Sequence, residues 1–136
     1  MFKLVKTINS RSNVPEPCLL TASLGSEYKI GTLIAMNEGF MHHCDATERP
    51  THMIAENAPR SHTGKITCYP VTGDMIFETH FTEEPVYIGE GSRVTLGRSI
   101  GVPVGVTAVT EGGVAEVYNL MGASVANDKV LIRFPD

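Results

Sequence analysis

The stretch Gly31-Thr-Leu-Ile-Ala-Met36, continued by Asn37-Glu-Gly39 and Phe40-Met-His-His-Cys44, predicts two short strands joined by a tight turn. A similar run begins sixty residues further along, where Gly91-Ser-Arg-Val-Thr-Leu96 leads through Gly97-Arg-Ser99 into Ile100 and residues 102–107. Glycine gives the backbone the freedom that turns need, while Val, Ile and Thr favour strands. The sequence therefore predicts two similar hairpin units.

Each hairpin is followed by a short apolar segment, Met53-Ile-Ala55 in the first copy and Val114-Ala-Glu-Val117 in the second. Two such units can bury their apolar faces by packing against one another. We therefore expect an all-β domain, built as a compact barrel or sandwich of short strands.

Other parts of the chain agree with this class. Thirteen glycines and eight prolines divide it into short pieces, and no segment longer than about ten residues has the apolar spacing of an amphipathic helix. The alternation of Val130, Ile132 and Phe134 with Leu131 and Arg133 predicts a strand. Residues 65–71 and 75–81 are also predicted strands, and the turn residues 72–74 between them favour a hairpin.

The first seventeen residues differ from the remainder. Residues 2–8 have the composition of a strand, whereas residues 9–16 are polar and include Pro15. We interpret residues 1–17 as an extended N-terminal arm and residues 18–136 as a single β domain. The arm either lies along its own domain or reaches a neighbouring molecule, and the sequence alone leaves both possibilities open.

Size and charge exclude several classes of protein. A chain of 136 residues has the length of one domain with one core. Its net charge of −4 lacks the basic footprint of a nucleic-acid-binding protein. Its apolar runs are far shorter than the ~20 residues that span a bilayer, so no membrane is expected. Three widely spaced cysteines predict reduced thiols and a cytosolic protein.

Two short motifs are weak candidates for catalysis. Gly97-Arg-Ser-Ile-Gly101 matches the Gly-x-Ser-x-Gly pattern of hydrolases, but the residues after it favour a strand, and no histidine follows His80. Gly89-Glu-Gly91 lacks the third glycine and the helix of a nucleotide-binding loop. We interpret the glycines at 89, 91, 97 and 101 as turn residues and expect no catalytic residues and no cofactor.

A metal site is the remaining chemical alternative. His42 and Cys44 are two residues apart on a predicted strand, so their side chains share one face and are of the type that binds zinc. Further ligands such as His52 or Cys68 would have to come from neighbouring strands. We expect no metal, and the alternative of a small metal-binding β-barrel protein stays open.

Several segments together resemble a family of small proteins of tailed bacteriophages and of prophages in gut Firmicutes, encoded near the capsid genes, which are head decoration or capsid-stabilising proteins. The resemblance covers most of the chain and is carried by residues 2–9, the hairpin at Gly31, and residues 50–54, 74–78, 91–96, 113–117 and 129–134. These are structural segments, and the family offers no catalytic residues.

The resemblance implies a non-enzymatic phage structural protein that binds the outside of the capsid and stabilises it. The implied partner is the phage major capsid protein, with a homo-oligomer, favoured as a trimer, located on the virion after passing through the host cytoplasm. A tail or connector adaptor is the alternative assembly component. The predicted contact residues are Phe2, Leu4 and Val5 in the arm, and Arg60 and His62 in the polar loop of residues 56–64.

Overall fold

The computed structural model describes residues 1–8, 16–23, 25–109 and 111–135. Within these residues it contains strands and no helix, and hence no helix that could cross a membrane. The strands are β1 (Lys3–Thr7), β2 (Cys18–Thr21), β3 (Leu33–Asn37), β4 (Phe40–His43), β5 (His52–Ile54), β6 (Lys65–Pro70), β7 (Met75–His80), β8 (Arg93–Ser99), β9 (Val102–Ala108), β10 (Ala115–Asn119) and β11 (Lys129–Arg133).

The strands form two antiparallel sheets. One sheet has five strands in the order β2-β6-β5-β3-β4, and the other has six in the order β1-β7-β11-β10-β8-β9. A single core cluster contains residues from both sheets, among them Leu33 and Met53 from one and Phe77 and Ile132 from the other. The predicted all-β, sandwich-like class is therefore confirmed.

The two predicted hairpin units are present, and each extends to five strands. Counted from its own first strand, the unit β2–β6 has the strand order 1-5-4-2-3, and the unit β7–β11 has the same order. We call these the first unit and the second unit. Strand β1 lies outside the duplication, because it adds to the free edge of β7.

Equivalent hydrogen bonds show that the duplication reaches the level of single residues. Gly31 N donates to Ile54 O at 3.0 Å, and Gly91 N donates to Val117 O at 2.9 Å. Both glycines have φ of 86°, in the left-handed region that glycine adopts without strain. The same turn thus starts the hairpin in each unit.

The hairpin turns also correspond, but the second lies further along than expected. Asn37 pairs with Phe40 across the first turn, and Ser99 pairs with Val102 across the second, so each turn has two central residues. The central residues Glu38 and Ile100 have φ of 51° and 50°, and a glycine follows each. The expectation that residues 97–99 form the turn is wrong, because those residues extend β8.

The predicted hairpin between residues 65–71 and 75–81 is also wrong. A turn does occur there, with Met75 N donating to Thr72 O at 3.2 Å. The strands on its two sides belong to different sheets, however, because β6 pairs with β2 and β5 while β7 pairs with β1 and β11. Residues 71–74 therefore connect the first unit to the second. Residues 86–88, which also have the composition of a strand, form no strand.

Each five-stranded unit curls so that its first and third strands, which lie at the two edges of the unit, approach one another. In the first unit β2 contacts β4, and Ser23 Oγ donates to Met41 O at 2.5 Å. In the second unit β7 contacts β9, and Thr82 N donates to Val106 O at 2.9 Å. The curl gives the five-stranded sheet a second buried face, where Ile34 joins a cluster separate from the shared core.

The beginning of the predicted arm belongs to the domain's own sheet. β1 pairs with β7, and Phe2 is 3% exposed within the shared core. Phe2 N donates to Gly31 O of the first unit at 3.1 Å, and Met1 O accepts from Thr79 Oγ1 of the second unit at 3.1 Å. Residues 1–8 thus lie along the domain and contact both units. Residues 9–15 of the predicted arm lie outside the described part of the chain.

Candidate partner-binding surfaces

The Gly-x-Ser-x-Gly match is explained by close packing and by a turn. Ser99 ends β8, directly before the turn residues Ile100 and Gly101. Gly97 pairs with Gly105 on β9, and the chain at residues 80–82 passes directly over both. A Cβ at Gly97 would collide with the Thr82 side chain, and one at Gly105 would collide with His80 O. Gly97 is therefore needed for close approach, as glycines within strands often are.

The side chains that suggested a metal site have other surroundings in the structure. Cys44 is fully buried in the shared core, where burial raises the pKa of its thiol to about 12. His42 Nε2 instead contacts the Glu48 carboxylate, at 2.8 Å from Oε1 and 3.0 Å from Oε2. The described residues contain no group of three or more histidine, cysteine or acidic side chains placed to hold a metal ion.

His43 and the other two cysteines of the first unit have structural contacts. His43 packs its ring against Tyr28 with centroids 4.9 Å apart, and its Nε2 lies 3.2 Å from Glu27 O. Desolvation lowers the pKa of His43. Burial likewise raises the pKa of the Cys68 thiol to about 12, and Cys18 faces it across β2 and β6 as a free thiol. The buried thiols of Cys44 and Cys68 both remain protonated at neutral pH.

The five predicted contact residues fall into different environments. Phe2 lies in the core, and Leu4 packs against that core from a half-buried position. Val5 is exposed on the edge strand β1. Arg60 is exposed, whereas His62 is half-buried and its Nε2 lies 3.1 Å from the backbone oxygen of Lys65, the first residue of β6. Val5 and Arg60 therefore offer their side chains to a partner most directly.

The structure adds contact candidates that the sequence did not suggest. Tyr87, Ile100 and Met121 are exposed apolar residues with φ of 58°, 50° and 56°. A left-handed backbone is uncommon outside glycine, and for a β-branched residue such as Ile100 it is a true outlier. Such strain together with exposed apolar surface is typical of functional positions. All three residues lie in loops of the second unit.

Two of these residues lie at one end of the second unit. The loop between β7 and β8 carries Tyr87, and the loop between β10 and β11 carries Met121. In an antiparallel sheet with the order β7-β11-β10-β8, both loops leave the sheet at the same end. Asn127 N donates to Phe81 O at 2.8 Å, which ties the two loops together. Ile100 lies at the opposite end, in the turn that follows β8.

One feature of the sequence is a signal for the exposed turn at Ile100. Two-residue hairpin turns favour Asn-Gly or Asp-Gly, because both central residues need positive φ. The second unit has Ile100-Gly101 instead, a costly choice for stability alone. For Tyr87 and Met121 no comparable signal exists, since residues 86–88 resemble a strand in composition.

A groove of about 460 Å³ lies beside the Ile100 turn. Its apolar lining comes from the β8–β9 hairpin, and its charged lining comes from loops of the first unit. Its lining includes Lys29, His43, Arg60, Ile100, Val102 and Val104. This volume is sufficient for a large side chain with its immediate neighbours.

The fold and these surfaces define the class as an all-β protein made from a duplicated five-stranded unit with exposed apolar loop tips. Among solved structures, it is similar to the N base of the head fiber gp8.5 of bacteriophage phi29, with a TM-score of 0.56 and 12% sequence identity. The similarity covers 88% of this chain and 94% of that chain. No protein-family model and no curated protein matches the sequence.

Proposed function

We propose that this chain is a non-enzymatic structural protein of a tailed phage that binds the outside of the capsid and stabilises it as a head decoration protein. The observation that carries the proposal is the fold it shares with the base of a phage head fiber, across nearly the full length of both chains. The segments that resemble phage and prophage decoration proteins of gut Firmicutes support the same proposal independently.

The surface of the molecule is consistent with a contact role. Large apolar side chains are exposed on the edge strand β1 and at turns, including Val5, Tyr87 and Ile100. The net charge of −4 is unsuited to direct contact with packaged DNA. We propose the phage major capsid protein as the partner, the virion surface as the final location and the host cytoplasm as the site of synthesis.

We also propose that the protein acts as a homo-oligomer, with a trimer favoured. Decoration of a shell requires contacts to several coat subunits, and a symmetric oligomer supplies equivalent contacts at a symmetry axis. A hexamer in solution would instead favour a tail ring or a connector adaptor. The mass of the purified protein in solution distinguishes these assemblies.

The main experiment compares phage heads with and without the protein. We expect it to co-sediment with assembled heads and not with free coat monomers, and heads without it to release their DNA at a lower temperature. Stabilisation follows because a ligand that binds only the assembled shell shifts the equilibrium towards that shell. Heads that never bind the protein and are equally stable without it would refute the proposal.

A pair of matched variants tests the contact surface on β1. Val5→Asp places a charge on an exposed, predicted contact residue, and Leu19→Asp makes the same change at an exposed residue on the edge strand β2. We expect Val5→Asp to weaken binding to heads about tenfold or more, since a buried unpaired charge is costly. Leu19→Asp should bind as the unmodified protein does.

A further inference from the structure

We propose that the Tyr87 loop of one copy of this chain inserts into the groove beside Ile100 of a second copy, forming a head-to-tail interface that closes into a ring. The proposal rests on the homo-oligomer in the proposed function and deepens it by naming the two surfaces that meet.

Tyr87 has the exposure and the residue type of an interface anchor. Its side chain is fully exposed, at 102% of the reference area, and its backbone has φ of 58°. Val86 beside it is 52% exposed. Tyrosine is among the residues that most often carry the binding energy of an interface, because it brings a large rigid surface at low entropic cost.

The surroundings of Tyr87 carry negative charge. Glu83, Glu84 and Glu90 lie within four residues of it in the same loop, and all three are exposed. None of the three side chains has an ion pair or hydrogen bond with the residues that the structure describes. A surface that accepts this loop must therefore combine an apolar recess with positive charge.

The groove beside Ile100 has this combination. Ile100, Val102 and Val104 supply its apolar wall, and Lys29 and Arg60 supply positive charge. Glu27 also lines the groove and lies 4.0 Å from Lys29, so it offsets part of the positive charge there. Arg60 is exposed and makes no ion pair within the described residues. The charges of groove and loop are thus complementary.

Geometry requires that loop and groove come from different copies. The Tyr87 loop enters β8 at Arg93, and the Ile100 turn leaves the same strand after Ser99. The six residue steps from Arg93 to Ser99, at ~3.3 Å each, separate the two ends by roughly 20 Å. A contact in which the loop of each copy enters the groove of the next copy is heterologous, and such contacts close into rings or grow into filaments. The two duplicated units therefore have different roles, since the loops of the first unit supply the groove's charges and the second unit supplies the anchor.

The test measures mass in solution by sedimentation over a dilution series. We expect the unmodified protein to be an oligomer, with Tyr87→Ser and Arg60→Glu each shifting it to monomer by weakening association at least tenfold. A mixture of these two variants should form dimers and nothing larger, because the first keeps an intact groove and the second keeps an intact Tyr87 loop. Glu83→Arg with Glu84→Arg should restore larger assemblies to the Arg60→Glu chain.

Phe40→Ser is the matched control, since Phe40 is 62% exposed at the hairpin turn of the first unit and belongs to neither surface. It should leave the mass unchanged. A monomeric unmodified protein, an unchanged mass for Tyr87→Ser, or a mixture that stays monomeric would each overturn the inference. Binding to phage heads is measured separately. An oligomer that depends on Tyr87 but does not bind heads would refute the proposed function and would still support the inferred interface.

Discussion

The pairing of Gly97 with Gly105 shows how single residues set the shape of the second unit. The chain leaving β7 crosses this pair so closely that a Cβ at either position meets Thr82 or His80. The crossing allows Thr82 N to donate to Val106 O at 2.9 Å and so holds β7 against β9. The first glycine of the Gly-x-Ser-x-Gly motif is therefore required by packing.

Replacing Gly105 by alanine should destabilise the protein. The added methyl group collides with the backbone oxygen of His80, which cannot move away as a flexible side chain could. Such overpacking costs about 1–3 kcal/mol of unfolding free energy, measured by urea denaturation. Gly89→Ala is the control, because nothing lies within 4 Å of its Cβ position. Equal stability of the two variants would contradict this account.

Buried titratable groups predict a stability maximum between about pH 6.5 and 9. Desolvation lowers the pKa of His43, His52 and His80 in the folded protein below the usual 6.5. Below pH 6.5 the unfolded chain therefore binds more protons than the folded protein does, and the free energy of unfolding falls. Burial raises the pKa of Cys44 and Cys68 from 9.0 to about 12, so stability is lost above pH 9 as the unfolded thiols ionise.

Urea midpoints measured across this pH range test the prediction. Replacing Cys44 and Cys68 together by alanine should flatten the alkaline loss of stability, because the groups that ionise are then absent. The acid side should be unaffected by the same change. A variant that loses stability above pH 9 as steeply as the unmodified protein would contradict the assignment to these thiols.

The duplication and its exceptions are visible in the arrangement of the strands. The hairpins β3–β4 and β8–β9 begin with the same glycine turn and end with the same kind of two-residue turn. β1 has no counterpart in the first unit, yet Phe2 beside it packs in the shared core with its ring centroid 6.4 Å from that of Phe134. β1 therefore contributes to the stability of the whole domain.

Removal of the Phe2 side chain tests the role of this element. Phe2→Ala leaves a cavity in the core and should lower the unfolding free energy by about 3–5 kcal/mol. Val5→Ala on the same strand removes an exposed side chain, and its effect should stay within about 0.5 kcal/mol. Denaturation curves measure both. A neutral Phe2→Ala would mean that residues 1–8 act as a free arm.

At the scale of the whole molecule, two similar units share one core. The core cluster spans both sheets, and the first two residues join Gly31 of one unit to Thr79 of the other. The surfaces of the two units differ, since the loops of the first unit carry Lys29 and Arg60 and those of the second carry Tyr87 and Met121. The proposed head-to-tail contact requires such unlike surfaces on one subunit.

The shared core predicts that both units unfold together. Cys18, Cys44 and Cys68 all lie in the first unit, so thiol labelling reports its unfolding. The chain has no tryptophan, so Tyr118→Trp supplies a fluorescent reporter in the second unit. We expect the two signals to have the same urea midpoint, as two-state unfolding requires. Separate midpoints would show that the units are independent domains.

Local composition was sufficient to determine the all-β class, both hairpins and the short apolar strand that follows each, because glycine turns and β-branched runs act over a few residues. Only the tertiary structure decided that β6 and β7 belong to different sheets, that residues 86–88 are a loop, and that Phe2 is core. The turn at residues 72–74 is compatible with a hairpin or a crossing between sheets, and the choice depends on which apolar faces can be buried together. The exposure of Tyr87 and Met121 was hidden for the same reason, since it is fixed by distant strands.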